Sequence, residues 1–254
     1  TMARQGVGVE DIVRCAEELQ LEGIDWVSTY DRDPHELKRL SEAAGLTVAC
    51  HTFFLPGFAP GSDWRGAAKR GLDNAVTLGA PVVMIPTGCA PDLTRDEFRR
   101  QWTDALEEIA PLAREAEVAL TIENFPGADS AFVTAADFYA AKERVPDLKL
   151  TFDDGNAASG EDPVASFEAC AKDVVHIHLK DWTVRTEPAD GYRKMLDGRY
   201  YKAALIGEGD IPTAACWEAF RRAGYAGFIN IEYESNEVPA AEAMKRAVSY
   251  LRSL

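Results

Sequence analysis

Residues 118–123, VALTIE, decide the fold, because three later segments repeat their design: LKLTFD (148–153), VVHIHL (174–179) and GFINIE (227–232). Each is a short apolar run carrying a polar residue at or beside its end, namely Glu123, Asp153, His178 and Glu232. Helical stretches separate the runs, and strands alternating with helices imply a parallel sheet with helices outside. In a closed parallel barrel the C-terminal ends of the strands converge on one mouth, where such proteins keep their chemistry. Three carboxylates and one imidazole meeting there form a site for one divalent cation. A metal-dependent enzyme is therefore the first expectation.

Strand parity tests this expectation. Side chains alternate between the two faces of a strand, so residues two and four before each polar end share its face. Those positions are Thr121 and Ala119, Thr151 and Lys149, His176, and Asn230, all small or polar apart from the lysine stem. The intervening Leu120, Ile122, Leu150, Phe152, Val175, Ile177, Ile229 and Ile231 are all large and apolar, as a helix-covered face requires. Parity selects Asp153 over Asp154. It does not separate Glu232 from Glu234 or His178 from His176, and position at the strand end favours Glu232 and His178.

Extending the reading outward gives helix–strand pairs along the whole chain. Helical patterns in VEDIVRCAEELQLEG, PHELKRLSEAAG, DWRGAAKRGLDNAVTLGA, TRDEFRRQWTDALEEIAPLAREAE, TAADFYAAKERV, PVASFEACAKD, PTAACWEAFRRAGYAG and VPAAEAMKRAVSYLRSL make eight helices. Strands at IDWVST, TVACH and PVVMIPTG join the four above to make seven. The fold class expected is α/β, a single (β/α)8 TIM barrel spanning 1–254, with its first strand missing or truncated before the first helix. Two loops at the mouth carry further expectations. The connection 182–210 holds Tyr192, Tyr200 and Tyr201 and is long enough to act as a substrate lid, whereas HTFFLPGF (51–58) offers Phe53, Phe54 and Phe58 as pocket walls.

Composition bounds the partners. The formal charge is −15, which disfavours nucleic acid and anionic membranes. No apolar run approaches the roughly 20 residues that span a bilayer, and the first residues lack the apolar core of a signal peptide. Five scattered cysteines without CxxC spacing read as reduced thiols, so a cytoplasmic protein is expected. The charges Arg95, Asp96, Glu97, Arg99 and Arg100 read as a solvated helix face.

The ordered motifs IENFPG, FDDGN, HIHLKD, IGEGDIP and GYAGFINIEYE resemble the xylose isomerase-like superfamily of sugar isomerases and epimerases. Hydroxypyruvate isomerases, ketose 3-epimerases and inosose-processing enzymes belong to it, with endonuclease IV as a distant relative. The resemblance covers essentially the whole chain. It implies the ligand set Glu, Asp, His, Glu, which falls on Glu123, Asp153, His178 and Glu232. The chain departs from the pattern at Asn156, where the family often has histidine in Asp-x-Gly-His. Asparagine binds a hydroxyl but neither ligates nor transfers a proton as imidazole does. The trinuclear zinc cluster of the endonuclease needs more histidines than the four present, and no Asp-x-His follows HIHLKD.

The remaining mouth residues are substrate-binding candidates. His51 ends a strand there, Lys180 follows His178 on the same face, Asn156 offers an amide, and Glu208 between two glycines could bind substrate or orient His178. Asp181 and Trp182 read as structural. A carboxylate-rich site with one histidine suits Mn²⁺, with Mg²⁺, Co²⁺ or Zn²⁺ as alternatives. The expected activity is isomerisation or epimerisation of a small carbohydrate through a metal-bound enediolate, with Glu123 and Glu232 moving the proton. The alternative is a lyase or dehydratase acting on a keto-sugar, keto-inositol or glycoside derivative at the same site. A non-catalytic sugar-binding or partner subunit is a third reading, and a homo-oligomer is compatible with all three.

Overall fold

The computed structural model describes residues 2–254. Seven strands lie parallel in one sheet: β1 (Gly23–Val27), β2 (Thr47–Thr52), β3 (Val82–Ile85), β4 (Ala119–Glu123), β5 (Lys149–Asp153), β6 (Val174–Leu179) and β10 (Ile229–Ile231). They follow one another in chain order. Three more strands, β7 (Asp181–Arg185), β8 (Arg193–Lys194) and β9 (Tyr200–Ala204), form a separate antiparallel sheet between β6 and β10. Helix α1 (Val9–Glu18) precedes β1, and α2 (Pro34–Ala43), α3 (Trp64–Leu78), α4 (Arg95–Glu115), α5 (Ala135–Lys142), α7 (Pro163–Cys170) and α8 (Thr213–Arg222) connect the parallel strands, with α9 (Ala240–Leu251) after β10. These are the helical stretches read from the sequence. A single turn, α6 (Asp154–Ala157), is additional. The sheet curves into a TIM barrel that is nearly closed. Its edge strands β1 and β10 face each other across a cavity of about 1000 Å³, lined by Gly23, Asp25 and Thr47 on one side and Phe228, Asn230 and Ile231 on the other.

Local chemistry sets the helix starts. Asp33, Asp63 and Asp162 accept backbone N–H groups at the first turns of α2, α3 and α7, and Thr94 and Thr134 form reciprocal caps with Glu97 and Asp137. Arg95 and Arg99 differ from the solvated face expected of them. Both pair with buried Asp137, which also accepts from the backbone of Val133 and Thr134, and so fasten α4 to the start of α5.

The two faces of the sheet divide largely as parity requires. Leu120, Ile122, Leu150, Phe152, Ile177, Ile229 and Ile231 join the main core under the helices. Val175 does not. It packs with Cys50, Val82, Met84 and Ala119 in a small apolar layer of its own. The cause is a register shift between β5 and β6 at Leu150/Thr151, which breaks strict alternation.

The segment expected to be a lid is instead packed structure. Tyr201 is buried against Trp182, Met195 and Ile211, and its hydroxyl donates to the Ala158 carbonyl at 2.8 Å. Buried Asp181 anchors the return of this segment. One carboxylate oxygen accepts from the N–H of Trp182 and Ile211, the other from Gly207 and Gly209, all at 2.8–3.1 Å. Gly209 is required there, since a Cβ would lie 2.2 Å from Asp181 Oδ1. The Gly-Glu-Gly motif is thus an amide cradle for Asp181. Removing this acceptor strands four backbone donors, and each unsatisfied buried group costs about 1–3 kcal/mol. Asp181→Ala should therefore lower unfolding stability by about 3 kcal/mol or more in urea titration; an unchanged midpoint would contradict this role.

Candidate metal centre

β4 ends on Glu123 and β5 on Asp153, His178 lies one residue before the end of β6, and Glu232 directly follows β10. Asp153 and His178 are register partners on adjacent strands. The Asn124 side chain secures the end of β5, donating to the Asp153 carbonyl at 2.7 Å and accepting from its N–H at 2.8 Å. The barrel therefore brings together the four residues singled out in the sequence. One donor atom from each lies within 4.8 Å of the others. His178 Nδ1 faces this group, 2.6 Å from Glu123 Oε1 and 3.7 Å from Glu232 Oε2. Asp154 turns away from it, as alternation demands, and accepts from the N–H of Lys180 and Gly155.

Lys180 enters the same cluster. Its buried ammonium lies 3.0 Å from Glu232, 3.4 Å from Glu234 and 3.6 Å from Asp153, and donates to Asn156 Oδ1 at 3.3 Å. Burial opposes charge on Lys180, but the surrounding carboxylates outweigh it and hold the amine above its usual range. Burial likewise opposes ionisation of Glu232, and Lys180 with His178 brings that carboxyl below its usual range. Asp153 goes the other way. Its burial, reinforced by Glu123 and Glu232, lifts it well above the ordinary carboxylate value despite Lys180. Burial also pushes Asp154 up to about 7.

The donor set fits a divalent cation. Asp153 Oδ2 and Glu232 Oε2 are buried and accept no well-formed hydrogen bond, and the positive charge they share is the Lys180 ammonium, at 3.6 and 3.0 Å. Three carboxylates outnumber the single ammonium among them. Hard oxygen donors with one imidazole suit Mn²⁺, Mg²⁺ or Zn²⁺. A cavity of about 330 Å³ opens above these residues, with Tyr30, Thr52, Phe54, Met84, Phe125 and Tyr233 among its walls.

Several expected site residues lie elsewhere. His51 does not line this cavity. Its Nδ1 meets the Trp26 carbonyl at 3.0 Å, its ring lies beside Phe53, and Thr52 is the β2 residue at the mouth. A register shift between β1 and β2 at Ile24/Asp25 precedes it, and the strand runs one residue further, to Thr52, so position at the strand end misplaces His51. Burial lowers the His51 pKa. Glu208 is exposed and paired with Arg246, whereas both ring nitrogens of His178 face other carboxylates. Phe53 packs under α3 against Gly71, and Phe58 sits between Trp64 and Trp102, which leaves Phe54 at the cavity. No residue of 182–210 lines it. Glu234, the alternative to Glu232 on parity, pairs with Lys180, and one residue was missed: Asp25, which lies against both His176 and His178. A carboxylate inside the apolar run IDWV is the same signal that marked the other four strands.

Comparison with known proteins agrees with this architecture. A family model described as xylose isomerase-like TIM barrel matches residues 9–254, and the chain belongs to that family. The inosose dehydratase of Lacticaseibacillus casei is 26% identical over 243 residues, covering 86% of this chain and 79% of that protein. The L-ribulose-5-phosphate 3-epimerase UlaE of Escherichia coli O157:H7 is 30% identical over 155 residues, 59% of this chain, which spans about half (49%) of that protein's length. The crystal structure of the IOLI protein with a bound zinc atom superimposes with a TM-score of 0.77 at 16% identity, covering 95% of this chain and 90% of that one. No helix among the described residues is long and apolar enough to cross a membrane.

If the cluster holds an ion, metal-free protein should take up one equivalent of Mn²⁺ or Zn²⁺ in calorimetric titration. At a hundredfold excess over Kd the ion should add about 2.7 kcal/mol of stability. Asp153→Asn should abolish most of both effects; full binding by that variant would place the ion elsewhere.

Proposed function

We propose that this protein is a divalent-metal-dependent isomerase or epimerase of a small, carbonyl-bearing carbohydrate or polyol. The observation that carries this reading is the convergence of Glu123, Asp153, His178 and Glu232 in one cluster, with Lys180 among them and all but Asp153 lining the mouth cavity. The metal-bound IOLI structure and the activities of the two relatives support it. When bound, a divalent ion would polarise a substrate carbonyl as a Lewis acid and acidify the adjoining C–H.

The residues of the chain supply the rest. Glu123 and Glu232 stand on strands separated by β5 and β6 in the sheet, so they approach the cavity from different sides. Either carboxylate can take a proton from the carbon beside the carbonyl, and the other can return it. Lys180 lines the cavity and presents N–H donors to substrate hydroxyls, whereas Asn156, expected to bind substrate, is buried behind it and accepts from its ammonium. Phe54, Phe125 and Tyr233 wall the cavity and limit the water that reaches it. Return of the proton to the neighbouring carbon gives isomerisation; return to the opposite face of the same carbon gives epimerisation.

A second reading keeps the residues and changes the outcome. The Lys180 ammonium, 3.0 Å from Glu232, is placed to protonate a departing hydroxyl, which would make the reaction an elimination. The long match to inosose dehydratase favours this variant of the chemistry.

NMR of a ketose and keto-polyol panel in D₂O, with the ion present, tests both readings. Deuterium should enter beside the carbonyl, with product mass otherwise conserved for isomerisation and reduced by one water for dehydration. Glu123→Gln should cut turnover by at least about 10²-fold, the lower end of general-base contributions. Absence of exchange across the panel, or full activity of Glu123→Gln, would contradict the proposal.

A further inference from the structure

We infer that Asp25 is the positioning residue of the metal centre, clamping His178 so that Nδ1 is presented to Glu123, Asp153 and Glu232. The inference rests on the reading that these residues hold a divalent ion.

The geometry is specific. Asp25 Oδ2 lies 2.7 Å from His176 Nε2 and 3.5 Å from His178 Nε2. All three side chains are at most 5% exposed. The two imidazoles stand nearly perpendicular, at 82° with centroids 5.2 Å apart, so both Nε2 atoms converge on one carboxylate oxygen. His178 is thereby spanned, with Asp25 at Nε2 and the carboxylate cluster at Nδ1. His178 Nε2 makes no hydrogen bond at that 3.5 Å distance; the ring has one nitrogen free to ligate and the other facing an anionic acceptor, and a bond closed between Nε2 and Asp25 on ligation would fix both its tautomer and its plane. His176 completes the clamp. It bonds the same oxygen from the residue two positions earlier on β6, and so holds the Asp25 carboxylate against rotation.

Asp25 reaches this position because of β1. Ile24 and Trp26 on either side are buried in the main core, which turns Asp25 to the opposite face. The register shift beside it pairs Asp25 with Cys50 rather than with Ala49. The arrangement also explains why two histidines occur at alternate positions of HIH, since one serves the cluster and the other serves Asp25.

The test compares wild type, Asp25→Asn and Glu123→Gln by calorimetric titration of the metal-free proteins with Zn²⁺, together with long-range ¹H–¹⁵N spectra of the histidine rings in the zinc-loaded state. Loss of a carboxylate behind a ligating histidine costs about 10–100-fold in metal affinity, and Asp25→Asn should fall in that range. Wild type should show a proton on His178 Nε2 and a metal-shifted Nδ1, and Asp25→Asn should show a changed Nε2–H resonance. Thermal unfolding of the metal-free variants separates this effect from loss of fold. Equal affinity and an unchanged His178 spectrum in Asp25→Asn would overturn the inference while leaving the metal reading intact. No Zn²⁺ binding by wild type would overturn the metal reading itself, and the inference with it. Binding that survives Glu123→Gln but is abolished by Asp25→Asn would make Asp25 a direct ligand and overturn the positioning role.

Discussion

Three carboxylates from three strands are held within 4.8 Å of one another inside the protein, and that repulsion is the constraint around which the site is built. Like charges at such separations in a poorly solvated site cannot all remain ionised without positive charge nearby. Lys180 supplies part of it from within the group. That single ammonium serves both Asp153 Oδ2 and Glu232 Oε2, neither of which accepts a well-formed hydrogen bond, so more positive charge is needed. A divalent ion bound there would satisfy that need and turn a destabilising arrangement into a chemical one.

The surrounding structure works to keep the arrangement rigid. Asn124 ties the end of β4 to the end of β5, and Asp153 caps the α6 turn that carries Asn156 toward Lys180. Asp154 bonds the Lys180 amide, and Asp181, one residue on, gathers four further amides. The run from His178 to Asp181 thus anchors the cluster on one side and the antiparallel β7–β9 sheet on the other. What the sequence presents as the short motif HIHLKD is a junction at which nearly every side chain has a defined partner.

Alternation along strands made much of this legible. It separated Asp153 from Asp154 and divided the apolar faces, since both depend only on local geometry. It failed where that geometry is interrupted. The register shift beside Leu150 moved Val175 out of the main core, and that beside Asp25 leaves Thr52 rather than His51, which was placed by its strand-end position alone, at the mouth; no residue type in the sequence announces such a shift. Glu208 was misread for a different reason. The glycines around it serve contacts to Asp181, which is distant in sequence, so their meaning exists only in three dimensions. The same limit applies to 182–210, where length suggested a lid but Tyr201 and Trp182 are buried together.

The central claim is that the four strand-end residues form one cation site. Anomalous scattering from crystals grown with Mn²⁺ tests it most directly. The account predicts one strong peak bounded by Glu123, Asp153, His178 Nδ1 and Glu232, with Lys180 displaced from its present contacts. No peak in the barrel, or a peak on the Nε2 side of His178 between Asp25 and His176, would contradict it.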